Sequence, residues 1–133
     1  MNTFHLKIVT PYGQFFDGMA ESLTLRTVCG ETGILAGHAD FVTALGMGQA
    51  KVGMDGKIRK AACIGGMLSV SRGEVTVVAT TFEWAEDIDI PRAERSAQRA
   101  RTVLDHKASH TSEEIALAEA RLKRALVRTG AAK

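Results

Sequence analysis

The sequence predicts an α+β chain, an antiparallel β-sandwich over residues 1–86 followed by an antiparallel α-helical hairpin over residues 87–133. Three observations predict it. Short runs of alternating apolar and polar residues are joined by tight turns in the first two thirds of the chain. All but Gly130 of the 13 glycines lie before residue 74. At Glu86-Asp87-Ile88-Asp89-Ile90-Pro91-Arg92-Ala93 the alternation stops, and an alanine-rich, charged tail with helical periodicity begins.

Phe4, Leu6 and Ile8 alternate with His5, Lys7 and Val9, and Pro11-Tyr12-Gly13 then breaks the run, so a strand is followed by a turn. Gln14 to Phe16 reads as a brief second strand. Ser22 to Val28 places Leu23, Leu25 and Thr27 on one face. Ala50–Met54 and Lys57–Ile64 flank Asp55-Gly56, a dipeptide suited to the positive φ angles of a type I′ hairpin turn. Met67–Ser71 and Glu74–Thr81 flank Arg72-Gly73 in the same way. Many short strands with no helix between them indicate a sandwich or a flattened barrel.

Beyond Asp89, Ala93, Ala97, Ala100 and Leu104 recur at four, three and four residues, one stripe of a helix. Ile90-Pro91 suits its start, because proline in the first turn gives up no needed hydrogen bond. Asp89 is placed as its N-cap. Ser109-His110-Thr111-Ser112 is a turn, and Thr111 with Glu114 has capping-box spacing. A second helix follows, with Ile115, Ala118, Leu122, Ala125 and Leu126 on one face and a stop near Gly130. Alanine along the seam lets the helices approach closely but buries little area, so at about 25 cal/mol per Å² the pair is marginally stable alone.

Composition narrows the function. The net charge is +2. Seven basic residues balance seven acidic ones up to Trp84, and the excess lies in the tail. So small a charge argues against bulk nucleic-acid affinity, which needs many phosphate contacts on one face. Cys29 and Cys63 have no CxxC spacing or neighbouring histidine, so buried, reduced thiols are expected rather than a metal site or disulfide. No signal peptide or membrane-spanning run is legible, which points to a cytosolic protein. Trp84 is expected to anchor the packing between the two parts. His5, His106 and His110 lack a Ser, Cys or Asp partner at suggestive spacing, so no catalytic residue and no metal ligand is assigned.

Gly30-Glu31-Thr32-Gly33-Ile34-Leu35-Ala36-Gly37-His38 is the densest local signal before the tail. Three glycines in eight residues suggest a sharply turning loop presenting a carboxylate and an imidazole. It reads either as a structural turn with a satisfied histidine or as a docking loop. No GxxxxGK[ST] is present, so it is not a phosphate cradle. The segment resembles the G-E-L-G-I-L-P-G-H loop of the epsilon subunit of bacterial F-type ATP synthases, departing at Thr32 and Ala36. Pro11-Tyr12-Gly13 resembles that family's Thr-Pro-x-Gly turn, Gly65-Gly66-Met67-Leu68-Ser69-Val70 its Gly-Gly-Phe-Leu-x-Val segment, and Ala85 to Asp89 its junction. Order and spacing are kept over nearly the whole chain.

The resemblance implies a sandwich of about ten strands and a helical hairpin, set on the central stalk with the gamma subunit and the membrane c-ring. Glu31 and His38 would then lie near the polar loops of the c-ring. The hairpin would act as a brake on ATP hydrolysis, folded against the sandwich or extended toward the alpha and beta catalytic subunits. In the extended state Arg121, Lys123, Arg124 and Arg128 would meet an acidic segment of those subunits. The chain would sit on the cytoplasmic face of the membrane as a peripheral part of the F1 sector, touching the membrane only through the complex.

Ile88-Asp89-Ile90-Pro91-Arg92-Ala93 also matches the I/L-D-x-x-R-A motif by which some bacterial epsilon subunits bind ATP. Alone, the same residues describe an N-cap and an Asp89–Arg92 pair at i, i+3, worth about 0.2–0.5 kcal/mol. ATP needs cations for its phosphates. Arg92 and Arg99 on the first helix, with Arg124 and Arg128 on the second, converge if the hairpin is closed. Glu83 and Asp89 would repel phosphate and so suit the adenine amine, the ribose or the orientation of Arg92, with Ala93 completing the motif. No Walker-type lysine or activated nucleophile accompanies them. ATP, with or without Mg²⁺, is therefore expected as a regulatory ligand and not as a tightly bound cofactor or a substrate. A different reading of the same residues is a free-standing ATP-binding regulatory module, separable by whether the chain co-purifies with gamma and c subunits.

Overall fold

Residues of alternating burial along Phe4–Thr10 make the first strand, with Phe4, Leu6 and Ile8 turned into the core and His5 and Lys7 outward. A computed structural model describes residues 2–132. The chain forms β1 (Phe4–Thr10), β2 (Gly13–Ala20), β3 (Ser22–Thr27), β4 (Gly30–Leu35), β5 (Phe41–Met54), β6 (Lys57–Ser71) and β7 (Glu74–Trp84), then α1 (Ile90–Asp105) and α2 (Ser112–Ala132). Single 3-10 turns at Ala85–Asp87 and Lys107–Ser109 precede the two helices.

The strands are hydrogen-bonded in the order β2-β1-β7-β6-β5-β3-β4. All neighbours are antiparallel except β1 and β7, which run parallel with His5 opposite Glu74 and Val9 opposite Val78. That parallel pair departs from the all-antiparallel sheet expected from the turns. It closes the first and last strands together, which no hairpin signal announces.

Seven strands do the work expected of about ten. β5, β6 and β7 are long and serve both layers of the sandwich. Near β1 the pairing runs through Phe41–Leu45, Gly66–Ser71 and Glu74–Ala79, and near β3 it runs through Met47–Met54, Lys57–Ile64 and Thr81–Trp84. The ladders skip Gly46, Gly65 and Thr80, where the sheet folds over on itself. Gly66 is required at that fold. Its φ is +120°, and a Cβ there would lie 1.9 Å from the carbonyl oxygen of Val78. The sequence reading broke β6 at these glycines and missed the first half of β5, because bulged glycines resemble turns in one dimension.

Both predicted type I′ turns are present, with positive φ at Asp55 and Gly56 and at Arg72 and Gly73. The Gly30–His38 segment is not a loop: Gly30–Leu35 is a strand paired with β3, and only Ala36-Gly37 turns. Thr27 is buried and stabilises the preceding turn, donating to the Gly30 carbonyl at 2.8 Å and accepting from the Cys29 amide at 3.2 Å.

The core between the layers is built from Leu6, Ile8, Leu23, Leu25, Val52, Leu68 and Val77, all fully buried. Trp84 belongs to it, in edge-on contact with Phe16 and Phe82, so it anchors the sandwich and not the seam between the two parts. The Arg59 guanidinium lies 3.9 Å over its ring and binds Glu86 in the turn beyond. Cys63 is buried, which pushes its thiol up to about 12, whereas Cys29 is exposed in the β3–β4 turn, against the expectation for both.

α1 starts as predicted: Asp89 is the N-cap, its Oδ1 accepting from the Arg92 amide at 3.1 Å, and Pro91 occupies the first turn. Ala93, Ala97 and Ala100 form the buried stripe. Thr111 caps α2, its Oγ1 accepting from the Glu114 amide at 3.1 Å, but its hydroxyl also donates to the Glu114 carboxylate, so the reciprocal half of a capping box is replaced. α2 buries Ala118, Ala125 and Ala131, while Leu126 faces solvent. It continues through Gly130 to Ala132. Gly130 is not a stop because the helix packs there against β5: a Cβ would come 3.1 Å from Gln49 Nε2.

The hairpin meets the sandwich through the last turns of α2. Ala131 packs with Ala62 of β6 and Ile88 of the junction, flanked by Val127 and Ala132. Arg128 Nε donates to Glu83 Oε1 at 2.6 Å beside this cluster.

Candidate functional site

The junction between β7 and α1 turns sharply enough to aim several charged groups at the end of α2. Glu83 is the penultimate residue of β7, Asp87 closes the 3-10 turn, Asp89 caps α1 and Arg92 lies in its first turn. With Ala93, Arg99 and Arg128 they line a cleft of about 450 Å³, within the size range of small-ligand sites. Six of the seven residues expected at a nucleotide site are thus brought together. Arg124 is not among them. Asp87 and Ser96 line the same cleft and were missed. Ser96 was legible, since it lies one turn beyond Arg92 on the helix face leading to Arg99.

Three carboxylates and three guanidiniums balance in this cleft, and they are not equivalent. Glu83 is committed to Arg128, each about a third exposed. Asp89 is committed to the Arg92 backbone amide, and no Asp89–Arg92 side-chain ion pair forms. Among the described residues, no carboxylate lies within 4 Å of the Arg92 or Arg99 guanidinium, so both remain available for an anion. Among the described residues no group of three or more His, Cys, Asp or Glu is placed to hold a metal ion.

A second cleft of about 440 Å³ opens farther along the hairpin seam. Ala100, Val103, Leu117 and Ala118 line it together with Ser96, Arg99 and Arg121. Glu114 also borders it. A hydrogen bond from His110, supported by Thr111, holds the Glu114 carboxyl below its usual range.

The other expected residues lie apart. Glu31 is exposed in the first half of β4, and His38 follows the turn after it, with Nδ1 2.8 Å from the Ala39 carbonyl and its ring against Phe41. On α2, Arg121, Arg124 and Arg128 share a face, while Lys123 points to the opposite side at 100° per residue. The outer surface of the sandwich carries an apolar row across four strands, Ala44, Met67, Val78 and Val9 in register, with Met67 and Val78 about half exposed. His5 is not isolated either: its Nε2 lies 2.5 Å from Asp17 Oδ1, a pairing between strands that linear spacing hides.

Comparison with known proteins follows the same division. Residues 3–85 match the model of the ATP synthase Delta/Epsilon chain beta-sandwich domain, and residues 86–133 that of its long alpha-helix domain. The chain is 42% identical to the ATP synthase epsilon chain of Ruminococcus albus, covering 99% of this chain and 98% of that one. It is 35% identical to that of Bacillus pumilus, covering 99% and 98%. Among solved structures, a chain of the Euglena gracilis mitochondrial ATP synthase superposes with a TM-score of 0.84 at 23% identity, covering 98% of this chain and 82% of that one. A chain from the Tetrahymena thermophila mitochondrial ATP synthase central stalk and c-ring superposes at 0.63 and 16% identity, covering 97% and 96%. At these identities the structural likeness speaks to the fold.

Proposed function

The chain belongs to the ATP synthase delta/epsilon family, and from that premise we propose that it is a non-catalytic central-stalk subunit whose hairpin senses ATP and restrains ATP hydrolysis. Residues 1–86 form the docking part and residues 87–133 the regulatory part. The observation that carries the sensing role is the junction cleft. It exists only while α2 lies against Glu83, because Arg128 forms one wall and the β7–α1 junction the other. A ligand that needs both walls therefore binds the closed hairpin and not the open one, and binding stabilises closure.

The acids at the junction suit the amino and hydroxyl groups of a nucleoside, and Arg92 and Arg99 suit phosphates. The lining sets no histidine, cysteine or lysine beside Ser96 to activate it, in keeping with a ligand that is held and not turned over. The gamma subunit is the partner proposed for the outer apolar row at Met67 and Val78, since a contiguous exposed apolar row marks an interaction surface. Glu31 and His38 are assigned to the c-ring. Arg121, Arg124, Arg128 and Lys123 are assigned to the alpha and beta subunits when the hairpin extends, which frees Arg128 from Glu83. The complex would hold the chain at the cytoplasmic face of the membrane, and no described helix is long and apolar enough to cross one.

Titration calorimetry of the isolated protein with ATP tests the sensing role. Saturable heat that Arg92→Ala abolishes supports it. No heat at millimolar ATP, or binding unchanged in Arg92→Ala, overturns it and leaves the family assignment standing.

A further inference from the structure

Lys51 of β5 and Lys60 of β6 stand directly opposite each other in the ladder, and both are exposed. Like charges placed in this way destabilise a sheet. Nothing on the sheet around them offsets the repulsion. The lysine row continues through Thr24 and Gly33, and the row beyond it holds Ile58, Gly53, Ser22 and Leu35. Among the described residues no carboxylate lies within 4 Å of either ammonium group.

The row on the other side is the one that carries the arm. Gln49, Ala62 and Glu83 lie in register across β5, β6 and β7. Glu83 accepts from Arg128, Ala131 packs with Ala62, and Gly130 lies beside the Gln49 side chain. Lys51 and Lys60 are the next residues on that face, two positions along each strand or about 7 Å away. The end of α2 that rests there has carbonyl groups without intrahelical partners and is the negative end of the helix dipole. Its last described turn, Thr129 to Ala132, brings no cation of its own. Two unpaired cations on the sheet thus stand within a lysine side chain's reach of an uncompensated helix end.

We propose that Lys51 and Lys60 are the electrostatic seat of the docked arm, their ammonium groups turned to the carbonyl end of α2. The like charges weaken the sheet while the arm is away, and docking relieves them, so the sandwich itself favours the closed hairpin. The apolar cluster at Ala62 sets where the arm lands. The lysines add a dependence on ionic strength that apolar packing lacks. This seat acts whether or not a ligand occupies the junction cleft.

Amide exchange of the full chain and of Lys51→Gln, Lys60→Gln and Lys60→Glu tests the seat. Both side chains are exposed, so none of the three substitutions opens the core. Exchange over residues 127–132 is expected to accelerate about two- to fivefold in each Gln variant, the scale of one cation at a helix end. Lys60→Glu should accelerate it further. Exchange in β5 and β6 should move the other way and slow in Lys60→Glu, which sets opposite charges across the ladder. In about 1 M salt the differences between wild type and the variants over 127–132 should close. Unchanged exchange over 127–132 in the variants overturns the proposal. So does an acceleration that salt leaves undiminished, which would reflect packing, or one accompanied by faster exchange in β5 and β6, which would reflect a loosened sheet.

Discussion

His5 sits between two acids contributed by different strands, Asp17 of β2 and Glu74 of β7. The hydrogen bond to Asp17 raises its pKa above the ordinary 6.5, with Glu74 adding to the effect and desolvation opposing it. A raised pKa means that the folded state binds the proton more tightly than the unfolded chain. The stabilisation is full below about pH 6.5 and is lost as pH rises through the raised value. His5→Gln should remove this dependence, so its thermal midpoint, measured from pH 6 to about pH 9, should fall less than that of wild type. A parallel decline in both proteins would refute the assignment. Gly66 carries a sterically stronger constraint. Gly66→Ala places a methyl group on the Val78 carbonyl and holds alanine at a φ it rarely adopts, so urea denaturation should show a loss of about 3 kcal/mol or more. Both residues show what one dimension hides. The alternation of β1 gave the outward face of His5 but not its partners, and Gly65-Gly66 looked like a turn because the bend lies between layers and not between strands.

At the scale of elements, the helices were more legible than the sheet. A helix is specified by neighbours three and four residues away, so Asp89, Pro91 and the alanine stripe located α1 from local information alone. The end of α2 was missed because Gly130 is explained by Gln49, a residue far away in sequence. The candidate site has the same mixture. Asp89 and Arg92 were picked out by the motif resemblance and Arg99 by its place on the same helix, whereas Asp87 and the loss of Arg124 depend on the angle at which α2 docks. That docking rests on the Ala62–Ile88–Ala131 cluster and on Arg128 with Glu83. Ala131→Asp would put a carboxylate where a methyl group is 1% exposed, so the last turns of α2 should leave the sandwich. Amide exchange over residues 127–132 should accelerate at least about tenfold, while exchange in β1 to β7 stays unchanged. Retained protection there would show that the contact is not what holds the arm.

The whole molecule is a stiff body carrying a weakly fastened one. Nineteen buried residues make the sandwich core, and three make the contact between sandwich and hairpin. The two should therefore open at different free energies. On the sensing role proposed above, ATP that binds only the closed hairpin would add roughly 2.7 kcal/mol to it at about a hundredfold excess over Kd. Exchange along α1 should slow by up to about a hundredfold under those conditions, and that of the sandwich strands should not. Equal slowing in both would mean that ATP stabilises the chain globally and does not fasten the arm.

Gly130 sets the resting bias of that arm. In a helix exposed to water, glycine is about 1 kcal/mol worse than alanine, so the end of a detached α2 frays. Against β5 the same residue lies beside the Gln49 side chain, where a Cβ would stand 3.1 Å from Nε2. The tip of the arm is therefore most ordered where it is docked, and an undocked arm must find a new surface to rebuild its last turn. In the release proposed above the arm would search with a frayed end, and the surface that captured it would have to supply the order that the sandwich gave up.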